Sequence, residues 1–192
     1  MKKVLWQDRQ VGDIFLAAVP GGLHNGIWAA ECIDHPNAPQ DFQVTHAGIV
    51  GPVTGWITEA WMALEDGINS VASVVEDAKY EAPVGQGQVE LWRPDATAEG
   101  VFLAFGEYLA KYVPRQYGYM DLFGFLYRAL IKRLTGKDVD NPIECSEVCS
   151  QGATEFLKLL VAHGSGETWV TKVEVRNEDP LALRLDFIAH AG

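Results

Sequence analysis

The stretch Asn141-Pro142-Ile143-Glu144-Cys145-Ser146-Glu147-Val148-Cys149-Ser150 decides how this chain is read. Pro142 cannot lie inside a helix and biases Asn141 toward extended backbone, so a helix is expected to begin just after it. Downstream, Val148, Cys149, Gly152, Phe156, Leu159 and Leu160 recur at three- and four-residue spacing, and Gly164 offers a stop. This places Cys145 in the first helical turn. Unpaired backbone N–H groups and the positive end of the helix dipole there favour thiolate over thiol. Cys145 is thus a candidate nucleophile, and the remaining chain is read for a base that could reach it. Cys149, one turn later, reads as a packing residue.

The base comes from residues 43–62. Gln43–Val50 and Trp56–Met62 read as two strands around Gly51-Pro52-Val53-Thr54-Gly55. With Pro52 and Val53 as the central turn residues, Ile49 would face Trp56, Ala47 would face Thr58, and His46 would face Glu59. Facing side chains share one side of a sheet, so this register sets an imidazole beside a carboxylate.

Other elements follow the same logic. Residues 12–19 read as a buried strand, Ile27–Ile33 as a short helix, and 67–75 and 88–93 as further strands. Asp95 is the expected N-cap of a helix with Val101, Phe102, Phe105, Leu109 and Tyr112 on its apolar face, ended by Pro114. Asp121 is expected to cap a second helix through Leu134. Trp169–Val175 reads as a last strand. Early strands followed by helices, without βαβ alternation, define an α+β class with an antiparallel sheet or partial barrel against helices.

Composition narrows the partners. The chain has 192 residues, 48% hydrophobic content and six tryptophans, enough for a single buried domain over residues 1–192. A formal net charge of −11 disfavours binding to nucleic acid or to an anionic membrane surface. No signal peptide or run long enough to span a bilayer is read, and three cysteines make no disulfide framework. A cytoplasmic setting is expected.

In order along the chain, Gly12-Asp13-Ile14, Thr45-His46-Ala47-Gly48-Ile49, Ile57-Thr58-Glu59-Ala60, Tyr117 and Cys145-Ser146-Glu147 form a recognisable series. It resembles the circularly permuted branch of the NlpC-like papain-fold superfamily, closest to its YiiX-like group. Histidine precedes cysteine here, as in that branch. The resemblance implies a papain-like, permuted fold and a thiol hydrolase needing no cofactor. Cys145 would be the nucleophile, His46 the base, Glu59 the orienting third residue, and Tyr117 a contact to substrate or oxyanion. Family members cut peptide bonds in small cell-wall fragments, and relatives such as lecithin retinol acyltransferase work on lipids.

Three readings therefore stand side by side: an amidase or endopeptidase on small peptides, an acyltransferase or lipid esterase with the same triad, and a non-catalytic module that binds a ligand in the cleft. A zinc site from Cys145, Cys149, His46 and His163 is a fourth and weaker reading, because Cys-x₃-Cys on one helix lacks a second clustered pair. His24 and His35 read as solvent-facing.

Overall fold

The structure, a computed structural model, describes residues 1–19, 22–39, 41–63, 68–112, 119–140, 149–175 and 179–191. Cys145 and Tyr117 lie outside the described residues. Six strands form one open antiparallel sheet: β1 (Lys2–Val4), β2 (Ile14–Ala17), β3 (His46–Val50), β4 (Trp56–Ala63), β5 (Ile68–Glu76) and β6 (Val89–Arg93). Their spatial order is β1-β6-β2-β3-β4-β5. The described helices are α1 (Gly22–Asp34), α2 (Glu81–Gly85), α3 (Ala98–Tyr112), α4 (Tyr119–Thr135), α5 (Cys149–Ala162) and α6 (Pro180–Ala189). The α+β class with an antiparallel sheet matches the reading from sequence. No described helix is long and apolar enough to cross a membrane.

Ile14, Phe15, Leu16 and Ala17 in β2 are all buried, without alternation, because both faces of the central sheet are covered. On one face Ile14, Leu16, Ala47, Ile49 and Trp92 pack against α3, α5 and α6 through Phe105, Tyr108, Phe156, Leu157, Leu183 and Phe187. On the other, Phe15, Ala17, Val50, Ile57, Tyr80 and Leu91 form a smaller cluster. The first two turns of α5 are buried almost all round, so this helix runs through the interior rather than along the surface.

The β3–β4 register differs from the expected one by two residues. Gly48 pairs with Glu59, Ile49 with Thr58 and Val50 with Ile57. A two-residue hairpin turn needs positive φ at its centre, which Pro52 cannot adopt. The positive φ falls instead on Gly51 (+122°) and Gly55 (+87°), and Gly51 N–H donates to the Trp56 carbonyl at 2.7 Å across a longer loop.

Other expectations need correction. Thr97, not Asp95, caps α3, its Oγ1 accepting from Gly100 N–H at 3.1 Å. Phe102 is 76% exposed, because Val101, Ala104, Phe105, Tyr108 and Tyr112 hold the inward stripe. Helix α4 begins at Tyr119, so Asp121 lies within its first turn instead of capping it. Trp169–Val175 is no strand: Thr168–Lys172 is a 3-10 turn wound around Glu167. That carboxylate accepts from Trp169 Nε1 at 2.7 Å, the Met1 ammonium at 2.6 Å and Asp95 N–H at 3.1 Å. Helix α6 carried a legible signal, an Asp179 N-cap followed by Pro180.

Candidate active site

Moving the register by two residues keeps His46 and Glu59 on one face, whereas a slip of one would have separated them. They become diagonal neighbours across β3 and β4, and their side chains close the gap. His46 Nε2 lies 2.8 Å from Glu59 Oε2, with His46 4% and Glu59 1% exposed. The sequence thus brought the right pair together through the wrong facing partner.

Glu59 is held from two further directions. Tyr80 OH donates to Oε2 at 2.8 Å, and the Lys79 ammonium pairs with Oε1. Burial opposes its charge, but His46 and Lys79 outweigh burial and hold the carboxyl below its ordinary range. Lys79 and Tyr80 come from a 3-10 turn, Asp77–Tyr80, that follows β5. Nothing in their sequence spacing announced this role.

Gly48 gives the ring beneath the site its room. A Cβ there would sit 2.5 Å from the Phe15 ring, and Phe15 packs against His46 with centroids 6.0 Å apart. Gly48→Ala is expected to cost about 1–3 kcal/mol by overpacking. Thermal unfolding reads the loss directly, and an unchanged midpoint would contradict the packing described.

Among the described residues, the sulfur near His46 is that of Cys149. Cys149, the first described residue of α5 and 6% exposed, lies close enough to His46 to act on its charge. With Nε2 turned to Glu59, Nδ1 is the ring nitrogen left for the sulfur. Burial alone would push the imidazole down; the Cys149 sulfur and the Glu59 carboxylate overcome it and push His46 up to about 10. Cys149 read as a packing residue from sequence, although it belongs to the same apolar periodicity that put Cys145 at a helix start.

The raised His46 value fixes a pH dependence. Its ordinary value is 6.5, so its stabilisation is complete below that pH and is lost as pH rises toward about 10. Glu59 is lowered from 4.5, so its share is present above that pH and is lost as pH falls through the folded value. Urea unfolding followed against pH should show greatest stability between these limits and an alkaline decline. That decline should shrink in Cys149→Ala; an identical alkaline limb would refute the coupling.

The remaining sequence candidates scatter. His163 pairs with Glu107 at 2.9 Å beyond the far end of α5, about 21 Å along the helix from Cys149. The zinc set is therefore not assembled. His35 is half-buried rather than solvent-facing, its Nε2 3.1 Å from Asp179 Oδ2. The side chain of His24 is outside the description. Asp13 of the Gly12-Asp13-Ile14 motif holds Arg93 through two 2.8 Å bonds, and Thr58 donates to the Gly51 carbonyl at 2.8 Å, so both serve the sheet. No protein-family model matches the chain, and a search of curated proteins found no match.

Proposed function

We propose that the protein is a cysteine-dependent amidase or peptidase of the permuted papain-like type, acting on small peptides with Cys149 as nucleophile. The observation that carries this reading is the buried His46 ring, which meets Glu59 at 2.8 Å and has Cys149 among its charge partners. An imidazolium beside the sulfur is the counter-ion a thiolate nucleophile needs, and Glu59 fixes the ring orientation. The nucleophile role passes from Cys145, the residue implied by the family resemblance, to the cysteine that meets the histidine.

The thiolate attacks the acyl carbon, giving a tetrahedral oxyanion that hydrogen-bond donors of the site must stabilise. As the C–N bond breaks, His46 gives its proton to the leaving amine. Neutral His46 then takes a proton from water, the hydroxide displaces sulfur from the thioester, and the acid leaves with the site restored. Glu59 stays ionised throughout, as the orienting acid of a triad does.

Incubation with a panel of small acyl amides and peptides, acid quenching and peptide-resolved mass spectrometry test the proposal. The expected result is an acyl adduct on Cys149, accompanied by product release. A panel that yields neither adduct nor product would end it.

A further inference from the structure

One buried acid has no part in the steps above. Glu31, on the inner side of α1, is 2% exposed, and neither carboxyl oxygen has a hydrogen-bond partner. Buried polar groups are normally satisfied, so an orphaned carboxyl calls for an explanation. Its charge neighbours include one member of the candidate site. Glu31 lies within electrostatic reach of Cys149 at the start of α5 and of Asp179 at the start of α6, with Cys32 beside it on α1.

Burial first, then Asp179 and Cys149, push the Glu31 carboxyl well above its ordinary range; the Leu181 N–H pulls the other way without closing a hydrogen bond of good geometry. A carboxyl buried with neither counter-ion nor hydrogen bond favours its neutral form, which presents an O–H donor and a carbonyl acceptor side by side. The partner that satisfies both at once is a primary amide, whose carbonyl and syn N–H lie side by side; a trans peptide bond points the two in opposite directions. An ester offers no N–H, and an ammonium offers no acceptor.

A cation is the obvious rival, because ligand atoms of Asp34, His35 and Asp179 lie within 4.8 Å of one another nearby. Those groups already have their counter-charges. Asp34 pairs with Arg128 and with Lys132, and Asp179 faces His35 while its Oδ1 accepts from Ala182 N–H at 2.7 Å. Asp34 Oδ1 makes no hydrogen bond but lies 3.0 Å from the Lys132 ammonium, whereas Glu31 has neither a hydrogen bond nor a described counter-ion.

We propose that the Glu31 carboxyl pairs with a primary amide group of the substrate beside Cys149, donating to its carbonyl and accepting from its syn N–H. This rests on Cys149 being the reactive sulfur, and it makes compounds carrying a primary amide, rather than the matching esters, the preferred substrate class.

The test needs no known substrate. Cys149 is alkylated in parallel with iodoacetamide and with methyl iodoacetate; in each, sulfur displaces iodide from the same kind of carbon. Peptide-resolved mass spectrometry gives both rates, and their ratio is divided by the ratio for N-acetylcysteine. The wild-type protein should show an amide preference of about fivefold or more, the worth of one or two hydrogen bonds. Glu31→Gln, which still offers a donor beside an acceptor, should keep the preference, and Glu31→Leu should lose it. A wild-type ratio equal to that of N-acetylcysteine overturns the inference, as does a Leu variant that keeps the preference. If Glu31→Leu does not fold, the wild-type comparison decides alone. Failure of hydrolysis would sink the proposed reaction without touching this ratio, and hydrolysis with a solution-like ratio would sink only the Glu31 assignment.

Discussion

Cys149→Ala is expected to lower kcat/KM on an amide substrate by about 10⁴-fold or more, because the covalent route is lost and only binding and the oxyanion donors remain. Cys145→Ala should leave the rate close to that of the wild type. The two variants separate the residue that family resemblance implies from the one that His46 reaches. Cys149→Ala also removes a small, 6% exposed side chain, so a thermal melt must accompany the kinetics. A folded Cys149→Ala that still turns over, beside an inactive Cys145→Ala, would return the nucleophile to Cys145 and make Cys149 a packing residue.

The second large effect belongs to Glu59. Its two oxygens serve His46, Tyr80 and Lys79 at 1% exposure, so Glu59→Ala strands a buried imidazolium and a buried phenol together. Removing one partner of a buried pair costs about 3–5 kcal/mol. For a chain of this length that is a fall of roughly 10 °C in the unfolding midpoint. The rate should fall by about 10²-fold or more, since an unanchored imidazole loses orientation and charge. Glu59→Gln keeps the shape and sharpens the reading: it should recover much of the stability and little of the rate. A Glu59→Gln enzyme at full rate would mean that the carboxylate only holds the sheet together.

These two residues also mark where sequence and tertiary structure divided the work. Local physics put His46 and Glu59 on strands of a hairpin, and their shared face survived the register error because side chains alternate with a period of two. The error itself came from turn chemistry. Pro52 excluded the short turn, and glycines at 51 and 55 carried the reversal.

Periodicity and caps were enough for α3 and α4 as elements, though not for their first residues. The same cues would have found α6, whose Asp179-Pro180 start is plain in the chain. A β-rich text such as Trp169–Val175 misled, since its aromatic and β-branched residues answer to a buried carboxylate instead of a sheet neighbour.

What sequence alone determined is the α+β class, the strands that carry His46 and Glu59, and the presence of a cysteine-bearing helix. Its pattern could not choose between two cysteines four residues apart, because both sit near the start of one apolar periodicity and differ only by about one turn. Tertiary packing decided that Cys149 meets His46, that Lys79 and Tyr80 hold Glu59, and that Glu31 is buried without a partner. Each of those depends on segments distant along the chain being packed against one another. Spacing within a single element cannot encode such contacts; only the folded arrangement of sheet against helices does.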